Sequence, residues 1–160
     1  MITRENLSKI FRKERATTLK AIKAFPADKI LFAPHERSRN ARQLMATFVF
    51  EMYLIDAYAF GEKIDRSVFQ SYAPFDLQTL LSDFENESSR TLSMIEKMPD
   101  SDLDKPVEFA GSKSTADAFI LMMLFDQIHH RGQLSVYIRL AGGKVPSVYG
   151  PSADDSSTNF

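Results

Sequence analysis

The residues best suited to chemistry lie in one helical segment, FDQIHHRGQ (125–133). Asp126 and His130 are four residues apart, so they stack on one face of an α-helix. The phase of the neighbouring apolar residues predicts that this face points inward, where an unpaired carboxylate is costly. We therefore expect Asp126 to be paired with His130, with an arginine of another helix, or with a divalent metal ion.

A second polar pair lies in an earlier helical pattern. Thr47 and Glu51 are also four residues apart and belong to its predicted core stripe. If the two helices face each other, Glu51 joins Asp126 and His130. Two carboxylates and one imidazole resemble the facial ligand sets that leave positions open for water or substrate. A buried hydrogen-bonded pair without metal is the competing interpretation.

Other polar residues near His130 predict the surroundings of the site. Thr47, Gln133 and Tyr137 are the expected pocket residues, with Tyr137 as a hydrogen-bond donor or proton-transfer group. His129 lies about 100° around the helix from His130, so the two imidazoles are not expected to share one metal.

The two residues after the histidines have different predicted roles. Arg131 should point away from the Asp126/His130 face and form a surface or intersubunit ion pair. Gly132 costs about 1 kcal/mol relative to alanine inside a helix. A helix tolerates that cost where a neighbouring helix must come close.

The elements that position these residues are four long patterns of apolar residues at three- and four-residue spacing. They predict helices from Thr3 to Phe25, from Ser38 or Arg39 to Gly61, from Asp76 to Met98, and from a Ser114 or Thr115 cap to Ala141. Thr3 and Asp76 are the expected N-caps of the first and third helices. No alternating run demands a sheet. The predicted fold is all-α, a four-helix bundle with long inter-helix connections. We expect one domain over residues 1–160, with 152–160 as a loose tail.

Composition excludes several classes of protein. The 160 residues carry a formal net charge of −1 without a basic block, which argues against a nucleic-acid binder. The chain has no cysteine, which removes disulfides and cysteine nucleophiles and fits a cytoplasmic protein. The longest apolar run, 118–125, is too short to span a membrane, and the charged N-terminus lacks a signal-peptide core.

The apolar run 118–125 also bears on assembly. A bundle helix normally buries one stripe, whereas this one is apolar nearly all round. Such a helix is either central in a monomer or half of a subunit contact. We expect a homodimer with the fourth helix near the interface.

The block HHRGQ, the helix end after it and the tail pattern V-P-x-x-Y-G-P resemble the DinB-like family of DNA-damage-inducible bacterial proteins. This resemblance is specific over residues 126–152 and implies a four-helix bundle. It also implies a metal site made by three histidines, one from the second helix and two from an H-x-x-x-H pair.

Only one of the three implied histidines is present. The second histidine of the block is His130, the first member of the pair falls on Asp126, and the helix 2 ligand falls on or near Thr47. An aspartate can ligate in place of histidine and favours harder metals. Threonine is a poor ligand, but Glu51, one turn further on, could substitute. The expected cofactor is one divalent metal (zinc, nickel, iron or manganese), or none if the site is lost.

Two function hypotheses follow. The family resembles enzymes that use low-molecular-weight thiols, which implies a metal-dependent enzyme acting on a small molecule, thiol S-transferase-like or hydrolase-like. The alternative is a metal-free, homodimeric bundle that binds a ligand or serves in a stress response without catalysis. Direct DNA binding is disfavoured by the charge balance.

Overall fold

The fold is the predicted four-helix bundle with one small hairpin. The computed structural model describes residues 2–63 and 75–154. In the described chain the elements are α1 (Arg4–Lys23), α2 (Ala41–Phe60), α3 (Leu77–Lys97), β1 (Pro106–Phe109), β2 (Ser112–Thr115) and α4 (Ala116–Leu140). Single 3₁₀ turns cover Ala27–Lys29 and Asp100–Asp102.

Local capping chemistry sets the helix ends. Thr3 and Asp76 cap α1 and α3, as the sequence predicted. The second helix starts later than predicted because Asn40 and Gln43 form a reciprocal capping box. It ends at Gly61, whose φ of 74° is readily adopted by glycine.

The helices do not alternate up and down. Both α1 and α2 pack against α3 and α4, so α1 lies diagonally opposite α2. The start of α2 meets the end of α4, where Tyr137 donates to the Arg39 carbonyl, and its end meets Phe119 through Tyr58. These two helices are therefore antiparallel.

Helices α2 and α3 run parallel. Phe48 packs edge-on against Phe84, and eight residues later along α2, Asp56 accepts a hydrogen bond from Thr91. Helix α3 is antiparallel to α1, because Arg4 at the start of α1 donates to the Met98 carbonyl at the C-terminal end of α3. The order of directions is thus up, down, down, up, and the parallel pair α2 and α3 requires a long connection between them.

The two-stranded hairpin was not predicted, since the segment was interpreted as a plain connection. Its strands pair antiparallel through a two-residue loop, Ala110–Gly111, with φ of 49° and 79°. Two positive φ values match the turn that best joins twisted strands. Four-residue strands are too short to give a clear alternating pattern. The hairpin closes one end of the bundle, where Phe109 packs on Tyr58 and Phe119.

Arg131 corrects another expectation, because it is buried inside the subunit rather than paired at the surface. Only 2% of it is exposed. Its Nη2 lies 2.6 Å from the Glu14 carboxylate of α1, and its Nη1 donates to the Glu14 carbonyl. The Tyr149 hydroxyl donates to the same carboxylate at 2.6 Å and contacts Arg131. This group of Glu14, Arg131 and Tyr149, the clasp, attaches the C-terminal segment to α1 and α4.

Part of the segment expected to be a loose tail is held by contacts. The Asp154 carboxylate lies 2.7 Å from Arg139 and accepts the Val145 amide at 2.9 Å. Residues 155–160 lie outside the described part of the chain. Among the described helices, none is both long and apolar enough to cross a membrane.

A buried carboxylate between α2 and α3 makes stability depend on pH. Asp56 is 2% exposed and accepts hydrogen bonds from Arg90 and Thr91, each at 2.8 Å. Burial raises the pKa of Asp56 to about 6, and the Thr91 and Arg90 interactions only partly oppose that effect.

We predict that Asp56→Asn reduces the pH dependence of stability. The folded protein holds a proton on Asp56 that the unfolded chain releases near pH 4, so the free energy of unfolding falls as pH rises from about 4 to 6. Urea denaturation at several pH values measures this slope. Equal slopes for wild type and Asp56→Asn would contradict the prediction.

Candidate metal centre

The inward face of α4 differs by one position from the predicted one. Gln127 is buried, with 1% exposure, whereas the side chain of Asp126 is half exposed. The prediction that the Asp126/His130 face points inward therefore holds for His130 but not for Asp126, which lies at the edge of the core. A helix apolar on all sides gives no sharp phase, so the pattern could not separate neighbouring positions.

The buried carboxylate of the site is Glu51 on α2, which is 2% exposed. One oxygen, Oε2, accepts a hydrogen bond of 3.2 Å from the Gln127 amide, while Oε1 is buried with no hydrogen-bond partner in the described structure. Burial raises the pKa of Glu51 well above its ordinary value, more strongly than the Gln127 bond lowers it, and the neighbouring Asp126 carboxyl group raises it further.

Glu51, Asp126 and His130 come together as the sequence analysis suggested. Each offers one ligand atom, and these atoms all lie within 4.8 Å of one another. His130 Nε2 lies 3.6 Å from Asp126 Oδ2. The site is graded in burial, with Glu51 inside, the His130 side chain 16% exposed and Asp126 at the edge.

The residues fit a divalent cation. Two carboxylates would neutralise its charge, and imidazole suits zinc, nickel and iron, while carboxylates add affinity for manganese. The unpartnered Glu51 oxygen is the main structural observation, because a buried acceptor without a donor is costly unless a cation or proton satisfies it. Three protein ligands would leave positions open for water or a substrate.

The orientation of His130 is also suitable. Its Nδ1 lies 3.1 Å from the Gln133 side-chain oxygen, so that nitrogen carries the proton and Nε2 is left facing Asp126. The Gln133 amide nitrogen in turn lies 3.0 Å from His129 Nε2. His129 is exposed and is not in the three-residue cluster, as its position on the helix predicted.

Behind the ligands lies a chain of buried hydrogen bonds that sequence reasoning missed. Gln127 donates to Glu51 and accepts from the Thr18 hydroxyl at 3.0 Å. Thr18 accepts in turn from Arg131 at 3.1 Å, which leads into the clasp at Glu14. This polar chain crosses from α2 through α4 to α1. Its only sequence signal was polar residues inside an apolar helix, with no indication of their partners.

A cleft of about 450 Å³ opens beside His130. It is lined by Pro34, Ser38, Arg39, Leu44, His130, Gln133, Val136 and Tyr137. Two predicted pocket residues, Gln133 and Tyr137, are among them. Thr47 is not a lining residue; its hydroxyl bonds to the Leu44 carbonyl within α2.

Comparison with known proteins gives consistent results. The DinB superfamily model matches residues 10–134. YjoA, an uncharacterised protein of Bacillus subtilis (strain 168), is 24% identical over 82% of this chain and 86% of its own length. YrdA of the same organism is 34% identical over 56 residues, but that match covers only 35% of this chain and 34% of YrdA.

Solved structures share the fold. A DinB-like protein from Bacillus cereus ATCC 10987 aligns with a TM-score of 0.81 at 19% identity, over 92% of this chain and 98% of that one. B. subtilis YfiT, described as a probable metal-dependent hydrolase with an unusual four-helix bundle topology, aligns with a TM-score of 0.68 at 10% identity, over 89% and 91% of the two chains. Because the family model covers most of the chain, and the resemblance of the HHRGQ block pointed the same way, this protein belongs to the DinB superfamily.

Proposed function

We propose that this protein is a divalent-metal-dependent enzyme acting on a small molecule, with Glu51, Asp126 and His130 as the metal ligands. The observation that carries the proposal is the three ligand atoms within 4.8 Å of one another, one of them on a buried carboxylate with an unpartnered oxygen. The description of YfiT as a probable metal-dependent hydrolase supports the same class of activity.

When bound, a divalent metal lowers the pKa of a water or thiol ligand and polarises a substrate oxygen. The chain's own residues would orient the metal ligands and select the substrate. Gln133 fixes the tautomer of His130, and Gln127 holds one oxygen of Glu51. The substrate would enter through the cleft beside His130. A thiol nucleophile gives an S-transferase-like reaction and water a hydrolase-like one. We further propose a cytoplasmic location, where low-molecular-weight thiols stay reduced.

The alternative is a metal-free homodimeric bundle that binds a ligand without catalysis. One observation favours it: the raised pKa of Glu51 favours the protonated, neutral acid, which satisfies a buried carboxyl group without a cation. Measurement of bound metal separates the two proposals.

The first prediction of the enzyme proposal concerns metal content. Tag-free protein incubated with zinc, nickel, iron or manganese and then desalted should retain about one ion per chain by mass spectrometry. His130→Ala should retain less than about a tenth of that, because removing one of three protein ligands weakens binding strongly.

His129→Ala is the matched control, since this neighbouring imidazole is exposed and outside the cluster. It should retain metal like the wild type. Absence of metal from the wild type under every loading condition would reject the enzyme proposal and favour the metal-free bundle.

A second prediction concerns Gln127, which donates to the proposed ligand Glu51 but does not line the cleft. Gln127→Leu removes the donor to Glu51 Oε2 and should weaken metal binding about 10- to 100-fold, as loss of an outer-shell partner typically does. Calorimetric titration measures the dissociation constant. Thr18→Val removes the Thr18 bonds to the far side of the Gln127 amide and to Arg131 but leaves the donor to Glu51, so it should have a smaller effect on metal affinity. Equal metal affinities for wild type and Gln127→Leu would contradict this role.

A third prediction concerns the charge of the substrate. Among the residues that line the cleft, Arg39 is the one with a permanent charge, and it is exposed. We propose that it binds an anionic group. The metal-loaded protein should bind 3-mercaptopropionate about tenfold more tightly than 3-mercaptopropionamide, with the preference lost in Arg39→Met.

The matched control is Arg37→Met, which removes an exposed arginine of the same loop that does not line the cleft. It should keep the preference. If Arg39→Met still prefers the acid as strongly as wild type does, Arg39 is not the anion-binding group.

A further inference from the structure

One face of α4 is largely apolar and exposed, and it lies outside the core of the described bundle. We call it the outer stripe; it consists of Met122, Phe125, His129, Gly132, Val136 and Leu140. Its four large apolar side chains are 43%, 63%, 56% and 58% exposed in chain order. The three- and four-residue spacing keeps all six on one side of the helix, over about 27 Å. A continuous apolar strip of this kind marks an interaction surface more often than a scattered exposed leucine does.

Gly132 in the middle of this stripe is not required by its surroundings in the described part of the subunit. A Cβ placed there would meet nothing within 4 Å, so no described neighbour requires a glycine. Glycine still costs about 1 kcal/mol relative to alanine inside a helix. The glycine removes a side chain at the point where a second helix could approach the backbone of α4 most closely.

The spacing of the stripe residues along α4 is nearly symmetric. From the midpoint between His129 and Gly132, Phe125 lies as far towards the N-terminus as Val136 lies towards the C-terminus. Met122 and Leu140 correspond in the same way to within one residue. A two-fold axis through that midpoint, with the helices antiparallel, would therefore pair Phe125 with Val136 of the partner subunit. A surface that matches itself in this manner is what an isologous dimer contact requires.

We propose that the outer stripe is the interface of a homodimer in which two copies of α4 cross antiparallel near Gly132. The stripe measures about 27 Å by 10 Å and supplies roughly 300 Å² of apolar contact. A standard interface buries ~800 Å² on each partner, so residues on the flanks of the stripe must supply the rest. We therefore expect a dimer at the weaker end, with a micromolar dissociation constant. Val136 also lines the cleft, so the partner would border the substrate entrance.

The absence of native cysteine makes a disulfide test clean, since each introduced thiol is the only one in its chain. Phe125→Cys mixed with Val136→Cys should cross-link under mild oxidation at least about tenfold faster than either variant alone. In the antiparallel arrangement the two copies of residue 125 are about 16 Å apart, beyond the reach of a disulfide. Mass spectrometry distinguishes the mixed product from self-linked ones.

Lys113→Cys, on the exposed hairpin strand β2, is the control for random collision. Self-linking of Phe125→Cys faster than the mixture would indicate parallel helices and overturn the geometry. Mixed cross-linking no faster than that of Lys113→Cys would overturn the interface.

Sedimentation equilibrium tests the assembly without cysteine. Wild type should show a concentration-dependent dimer. Phe125→Glu should stay monomeric at 100-fold the wild-type dissociation constant, because dimerisation would bury a charge at the contact. Phe125→Glu should keep its helical circular dichroism and, since it is not a metal ligand, its metal content. A wild type that stays monomeric up to about 0.5 mM would overturn the proposal, whatever the outcome for metal binding.

Discussion

The buried guanidinium of Arg131 constrains much of this structure. A charge with 2% exposure must be fully compensated, since breaking a buried ion pair costs several kcal/mol. Glu14 supplies the opposite charge, and Tyr149 and Thr18 complete the hydrogen bonding. Three separate parts of the chain, α1, α4 and the C-terminal segment, are thereby fixed relative to one another. The same hydrogen bonds continue through Thr18 and Gln127 to Glu51, so the clasp and the candidate metal centre share one polar network.

This network gives a physical account of the family's sequence pattern. In the block HHRGQ, the second histidine points to the candidate metal centre, the glutamine fixes its tautomer and the arginine forms the clasp. The tyrosine of the V-P-x-x-Y-G-P tail meets that arginine, so two motifs separated along the chain act at one place. Among the described residues nothing requires a glycine at position 132 of the block, and the proposed dimer contact gives it a role.

Sequence reasoning recovered the parts that depend on local rules. The four helices, the caps at Thr3 and Asp76 and the stop at Gly61 follow from periodicity and side-chain capping. The meeting of Glu51 with Asp126 and His130 also followed from four-residue spacing on two helices. What failed depended on distant partners. Arg131 was expected at the surface because nothing near it in sequence reveals Glu14 or Tyr149. Asp126 was taken for the inward residue because an all-apolar helix leaves its phase undefined.

The altered ligand set changes which metals the site would favour rather than only weakening its affinity for metal. Where the family resemblance implies three neutral imidazoles, this chain supplies two carboxylates and one imidazole. Two negative ligands compensate a divalent cation fully, so the bound ion would be a weaker Lewis acid with harder preferences. Burial opposes metal binding in one respect, because it raises the pKa of Glu51 and so favours the protonated acid over the carboxylate that would ligate an ion. Gln127 donates to one oxygen of Glu51 and leaves the other without a hydrogen-bond partner among the described residues, so that oxygen is free to ligate an ion. The substitution of histidine by glutamate one turn along α2 is therefore consistent with a retained metal site supported by its own buried polar chain.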